Sequence, residues 1–465
     1  MHHKRLHVLA GTIICLVILR GLMYGVIIPF DQAPDEKHHF LLIKAKHLQM
    51  SGASSEEKQH IASQIEFTWH RLLYPETQRT QEDFTGGFLP SPPSSMHLYY
   101  LVTGWMLNLC AFEQSHNEIY LLRGFSIVCG AIVIIFAIAI AHDLFPDDRF
   151  LHLGVPIFIT FVPQFSAMNG VINNDKLAEV FAALLGWLIV KIFKQGFSWQ
   201  YGLAYMAAAA LALMSKRTTI FIVPLSLLVL FLYFWNGRLG LRMHGILLGG
   251  ILGATLLIYL LLWNPTIYTL VDDYVISIPE ARYLPAKVFR PELFSKATLL
   301  HVVKFFAVMY LGFWGIFGYM TIHLHHFWYL AAAFAQSLAI LGLLKCMMPA
   351  KLDIPSSLKG KQEWDGDVWK AKVCYLFGAS IALSLIIPVL RSIILRFDAP
   401  DLTQGRYLFT VMIPISVLTM LGLSVLFPRK YHAWIGGIGL FALLLFDTAA
   451  LINYLLLNFH YAAFF

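Results

Sequence analysis

Apolar residues in this chain come in blocks of roughly twenty, the number an α-helix needs to cross a bilayer core at about 1.5 Å per residue. No other feature restricts the fold so strongly. The blocks continue to residue 457, interrupted by three polar stretches at 30–96, 264–298 and 349–371. Of the 465 residues, 58% are hydrophobic and 13% charged, and the mean hydropathy is +0.66. A soluble domain carries about 45–50% apolar and about 25% charged residues. The expected fold is therefore all-α, a polytopic transmembrane helical bundle forming a single integral membrane domain over 1–465. It should hold about 11–13 membrane segments, with interfacial helices in an external first loop.

The first block, Leu6–Ile28, follows the basic start Met1-His2-His3-Lys4-Arg5. Its apolar run is too long for a signal peptide and no small-residue cleavage site follows, so it reads as an uncleaved span. Further spans are expected near 97–112, 119–141, 150–168, 176–193, 199–215, 218–235, 243–263, 299–320, 327–347, 372–392, 406–427 and 432–457. The five cysteines, Cys15, Cys110, Cys129, Cys346 and Cys374, lie in or beside these blocks without metal-site spacing, which argues against a disulfide framework or a zinc knuckle. No repeat of fixed period is present.

Lys and Arg set the orientation. The formal charge of +7 sits in short loops, as in a membrane protein fixing its topology, and does not suggest nucleic-acid binding. Lys4/Arg5, Lys191/Lys194, Arg238/Arg242, the Lys345–Lys372 loop and Arg429/Lys430 are expected in the cytoplasm, with the N-terminus. Residues 30–96, 264–298 and 393–405 then share the outer face. This count leaves 299–320 re-entrant or interfacial, within an external region over 264–326. It also breaks 150–168, with Pro163 as the break.

Six motifs carry polar chemistry. Pro34-Asp35-Glu36-Lys37-His38-His39-Phe40 follows the first span, with Asp35, His38 and His39 at helical spacing. Asp35 can act as an N-cap, as a catalytic acid, or with His38 and His39 as a ligand of a divalent metal. Ser91-Pro92-Pro93-Ser94-Ser95-Met96-His97-Leu98-Tyr99-Tyr100 joins the outer loop to the next helix, with the tyrosines at interfacial depth. Asn169-Gly170-Val171-Ile172-Asn173-Asn174-Asp175-Lys176 is either a connector or a source of carboxylate beside the first loop. Ser215-Lys216-Arg217-Thr218 places cations on the outer face, against the topology, as an anion site would. Gln404-Gly405-Arg406-Tyr407 does the same, unless Arg406 pairs with Asp398 or Asp401. Gly312-Phe313-Trp314-Gly315-Ile316-Phe317-Gly318-Tyr319 alternates glycine with aromatics, which can pack helices, stack on sugar rings or pack on a prenyl chain. The histidines that follow, His323, His325 and His326, read as interfacial.

Pro-Asp-Glu-x-x-His-Phe, Pro-Pro…Tyr-Tyr, Asn-Asn-Asp, Phe-Trp-Gly-x-Phe-Gly and Gln-Gly-Arg-Tyr, in that order over about residues 10–427, resemble a bacterial membrane-protein family of uncharacterised domain grouped with the GT-C glycosyltransferases. The resemblance implies a GT-C-like fold and transfer of a sugar from a polyprenyl-phosphate donor to a glycan or lipid acceptor. It implies an active site on the external side of the cytoplasmic membrane. It makes Asp35 the central acid with Glu36 beside it, leaves the metal requirement open, and gives an inverting reaction in which Asp35 is the general base. Substrate contacts are then expected from His38, His39, Tyr99, Asp175, Lys216, Arg217, Trp314, Gln404, Arg406 and Tyr407. The partners are the lipid-linked sugar, the acceptor and membrane lipids. A transporter or flippase of an anionic or lipid-linked substrate is the main alternative, and a scaffold subunit of an envelope-polysaccharide complex is a second. An approximate two-fold relation between the chain's halves would favour transport.

Overall fold

The structure is a computed structural model, and it describes residues 2–73, 89–91, 97–110, 115–235, 296–347, 368–395 and 404–461. The span expected at 243–263 and most of the polar regions at 264–298, 349–371 and 393–405 lie outside the described residues, as do the Pro92-Pro93 motif, Arg238, Arg242, Asp398 and Asp401. The described chain is an all-α polytopic bundle, with one minimal hairpin between two of its helices.

Helix α1 (His2–Ile27) shows how the chain sorts its faces. Ile13, Val17, Arg20 and Tyr24 fall at helical spacing and are buried, while Val8, Leu19, Leu22 and Val26 are exposed. In water such a face would be a liability. In a bilayer it is the lipid contact, because hydrocarbon solvates apolar side chains. Six described helices are long and apolar enough to cross a membrane, or seven if one bent pair counts as a single span.

That bent pair is α6 (Arg149–Thr160) and α7 (Pro163–Asn169), which meet at 61°. Pro163 occupies the first turn of α7, where its missing N–H costs nothing, and it cannot continue α6. The break expected at Pro163 is therefore present, and the pair is a broken span or a re-entrant loop. Between the outer helices and α6 lie α2 (Glu36–Met50), α3 (Ser55–Leu73), α4 (Leu98–Cys110) and α5 (Ser115–Leu144). In α5, Glu118 pairs with Lys44 of α2 at 2.8 Å, while at the far end Asp143 pairs with Lys191 and Lys194 of α8 (Asp175–Gln195) at 2.8 and 2.9 Å. These ion pairs mark the two ends of the bundle.

Of the span expected at 97–112, residues 97–110 are described. Helix α4 has thirteen residues, about 20 Å at 1.5 Å per residue, short of a bilayer core of about 30 Å. It lies beside α2, with Gly104 against Lys46 and His47. Phe40, Ile43, Tyr99, Tyr100, Leu107, Leu122 and Ile172 form a small separate core there, which seats the first-loop helices on the bundle.

The remaining described helices are α9 (Trp199–Ser215), α10 (Ile222–Phe234), α11 (Lys296–Gly315), α12 (His326–Met347), α13 (Val368–Leu395), α14 (Met412–Leu426) and α15 (His432–Ala449), the last extended by a π-helical stretch over Ala450–Tyr461. Segment 299–320 is an unbroken helix to Gly315, followed by an antiparallel hairpin that pairs Ile316 with His323 and Phe317 with Ile322. Helices α12 and α14 pack backbone to backbone, because a side chain at Gly342 or Gly422 would collide with the opposite chain.

Candidate active site

The first loop is held by a carboxylate that never meets solvent. Glu36 opens α2 fully buried. Arg123 of α5 donates to both of its oxygens at 2.8 Å, and the backbone N–H groups of Asp31 and Ile172 add donors at 3.1 Å each. The remaining guanidinium nitrogen of Arg123 donates to the carbonyls of Gly25 and Ile28. One ion pair thus ties the end of α1, the start of α2 and the approach to α8 to α5.

Against that anchor, Asp35 points the other way. Its backbone is left-handed, at φ 64°, and its side chain caps no helix N–H. The N-cap alternative therefore fails on geometry. The carboxylate is half-exposed and pairs with Arg406, which also donates to the carbonyl of Pro34 at 3.1 Å. Burial pushes the Asp35 carboxyl up, but the Arg406 guanidinium beside it, with Lys216, outweighs burial and holds the group below its usual value. The two adjacent acids have separate environments: Glu36 is saturated in the interior, and Asp35 faces out.

The cations come from two similar junctions. Lys216 is the extended residue between α9 and the 3-10 turn Arg217–Phe221 that leads into α10. Arg406 opens the 3-10 turn Gly405–Val411 that leads into α14. Gly405 sits so close to the backbone of Gly312 and Phe313 that no side chain fits, which fixes the position of Arg406. Asp175, in the first turn of α8, pairs with Lys216, and its second oxygen lies 3.8 Å from Arg406 Nε. That separation is too long for a hydrogen bond, so Arg406 Nε, on a side chain only 5% exposed, has no hydrogen-bond partner among the described residues. The N-termini of α8 and of both 3-10 turns open on this cluster, so backbone dipoles add to its positive field.

The other expected site residues divide into those near this cluster and those elsewhere. His39 is buried, with Nδ1 2.8 Å from the Tyr100 hydroxyl. Burial, then Arg406 and Lys216, push it down to about 3, so it stays a neutral imidazole at any working pH. Tyr407 lies with its ring 5.5 Å from Lys216 Nζ, and Gln404, half-buried, accepts the Tyr407 N–H at its carbonyl. His38 is exposed, and the Arg217 side chain lies outside the described residues. Tyr99 is fully buried against Tyr100 and Phe125. Trp314 is 2% exposed and packed on Phe158, Phe313 and Phe446, so its position is that of a core residue, not of a substrate contact. Asp35, His38 and His39 do not converge: the first turns to Arg406 and the last to Tyr100. Among the described residues no group of three or more His, Cys, Asp or Glu is arranged to hold a metal.

Four residues make polar contacts that the six motifs did not single out: Arg123, Arg20 and Tyr24 lie outside them, and Lys176 closes the third beside Asp175. Arg123 stands alone in the apolar run of α5, and an ionisable residue inside a span is itself a signal. Lys176 is fully buried, donating to Asn169 at 3.0 Å and Glu179 at 2.7 Å, with Phe165 below it. Arg20 and Tyr24 of α1 both engage Asp447 of α15 deep in the bundle, by an ion pair and by a 2.9 Å hydrogen bond.

Residues 100–263, about a third of the chain, match the family model of dolichyl-phosphate-mannose-protein mannosyltransferase. The matched segment contains Tyr100, Arg123, Asp175 and Lys216 and leaves Asp35 and Arg406 outside it on either side. No curated protein and no solved structure matches the chain. The matched family belongs to the GT-C superfamily, and on this match, joined to its polytopic all-α bundle, the protein is a membrane glycosyltransferase of the GT-C type.

Proposed function

We propose that this enzyme takes a sugar from a polyprenyl-phosphate donor and transfers it, with inversion, to a hydroxyl of an envelope glycan or lipid on the outer face of the cytoplasmic membrane. The observation that carries the proposal is the juxtaposition of a half-exposed carboxylate, Asp35, with the buried Arg406 and the partly buried Lys216 at one end of the bundle.

The chemistry follows from that arrangement. Asp35 accepts the proton of the acceptor hydroxyl as its oxygen attacks the anomeric carbon. The bond from that carbon to the phosphate oxygen breaks, and its electron pair leaves with the lipid phosphate. The added charge falls among Arg406, Lys216 and the helix N-termini, where a poorly hydrated site strengthens the attraction. Arg217 is a further candidate for the phosphate. Asp175 keeps the cations in place while the site is empty. The donor phosphate competes with Asp35 for the same guanidinium, so donor binding frees the base. A single displacement needs no carboxylate nucleophile, and Glu36, saturated by Arg123, serves as the anchor of the loop. His39 and Tyr100 hold the floor beneath Asp35, and Gln404 and Tyr407 flank the cations.

Orientation rests on the opposite end of the bundle, where Lys191, Lys194, Lys370, Lys372, Arg429 and Lys430 gather. Such an excess of basic residues marks a cytoplasmic face. The test is transfer by the purified full-length chain in vesicles, offered a panel of polyprenyl-phosphate sugars. One donor is expected to yield glycosylated acceptor of inverted anomeric configuration together with free polyprenyl phosphate. If no donor is either bound or consumed, the proposal is wrong.

A further inference from the structure

Four non-glycine residues of the described chain adopt left-handed backbone: Asp31 at φ 68°, Asp35 at 64°, Tyr319 at 55° and Met320 at 66°. Such backbone is strained in a residue that carries a Cβ, and strain of this kind gathers where ligands are held. Here the two segments that hold them meet through Tyr319 and Asp31. Asp31 and Asp35 belong to the first loop, Tyr319 and Met320 to the hairpin turn, and the Tyr319 hydroxyl donates to Asp31. The two strained segments are 288 residues apart in sequence.

The same turn separates the aromatics of its motif. Phe313, Trp314 and Phe317 are 2–3% exposed, whereas Tyr319 is 50% exposed. Its hydroxyl is pushed above the ordinary tyrosine value by burial, by its bond to Asp31 and by the charges of Asp31, Asp35 and Glu36, so the group stays a donor. A broad, half-exposed aromatic face thus stands over the buried Asp31 carboxylate and within electrostatic reach of Asp35. An apolar ring face beside an exposed hydrogen-bond acceptor matches a neutral carbohydrate, whose C–H face packs on the ring while a hydroxyl donates to the half-exposed Asp35. Tyrosine suits that task because it offers large contact area at little cost in side-chain entropy. The negative charge of Asp31 and Asp35 beside the ring disfavours an anionic saccharide there.

We propose that Tyr319 and the turn Gly318–Thr321 form the acceptor subsite, and that the acceptor is a neutral saccharide. This rests on the glycosyltransferase function proposed above, and its test separates the two. The full-length chain in nanodiscs is titrated with neutral trisaccharides of glucose, mannose and galactose, and independently with undecaprenyl phosphate. The wild type is expected to bind at least one trisaccharide. Tyr319→Ala should weaken that binding about tenfold, equivalent to about 1.4 kcal/mol, and leave undecaprenyl phosphate binding unchanged. Tyr319→Phe, which keeps the ring, should stay within about threefold of wild type, as expected when the contact face carries most of the energy. The subsite is overturned if no trisaccharide binds the wild type, if Tyr319→Ala binds as wild type, if it weakens both ligands equally, or if Tyr319→Phe loses as much as Tyr319→Ala. Undecaprenyl phosphate binding and donor turnover report on the donor site whatever the trisaccharides do.

Discussion

At the residue scale, the two neighbouring acids show how environment divides labour. Glu36 is buried with four donors on its oxygens, and removing Arg123 would strand that charge. Arg123→Ala is expected to destabilise the fold by about 3–5 kcal/mol, read as the loss of thermal stability of the detergent-purified chain. Asp35 has the opposite setting. Burial raises its carboxyl, and Arg406 brings it down. Arg406→Gln removes the main opposing charge, so the Asp35 pKa must rise and the carboxylate must protonate at higher pH. The acidic limb of the kcat/KM profile, which reports the free enzyme, is expected to move upward in pH even though the rate itself falls. An acidic limb that stays in place would dissociate Arg406 from the base. Asp35, Lys216 and Arg406 stood out in the sequence because each is a charged residue at a membrane boundary, where charge is expensive. Their pairing was not, since 371 residues separate Asp35 from Arg406. Arg123 passed unnoticed because a lone cation in an apolar run forms no motif.

At the scale of elements, glycines decide how the cations are presented. Gly405 packs on the backbone of Gly312 and Phe313, and a methyl group has no room there. Gly405→Ala is expected to cost about 1–3 kcal/mol of stability by overpacking. It should also reduce transfer more than a comparable lesion at the far end of the bundle, because Arg406 is the next residue. Pro163 announced the break between α6 and α7 through the chemistry of its ring. By contrast, the apolar composition of 97–112 did not reveal that its described helix, Leu98–Cys110, packs along α2, since hydropathy does not record direction. Nor did the alternating Gly-aromatic pattern reveal that Trp314 turns inward and Tyr319 outward. Their exposure depends on the helix ending at Gly315, where the strand pairing takes over.

At the scale of the whole molecule, the apolar blocks dictated an all-α bundle, and the ion pairs at its two ends give the bundle its polarity. One end gathers Asp35, Asp175, Lys216 and Arg406, and the other gathers Asp143 and the basic clusters. In a cysteine-free background, a membrane-impermeant maleimide added to intact spheroplasts is expected to label His38→Cys and to leave Lys430→Cys unmodified. The reverse pattern would put the site in the cytoplasm. The central claim is that Asp35 is the base of a sugar transfer at that outer end. Single-turnover transfer from a labelled polyprenyl-phosphate sugar, compared between wild type and Asp35→Asn, tests it most directly. Because the donor phosphate no longer competes with a carboxylate for Arg406, the account predicts that Asp35→Asn binds donor at least as tightly as wild type yet transfers about 10²–10⁴-fold more slowly, the usual contribution of a general base. Transfer by Asp35→Asn at the wild-type rate would contradict it.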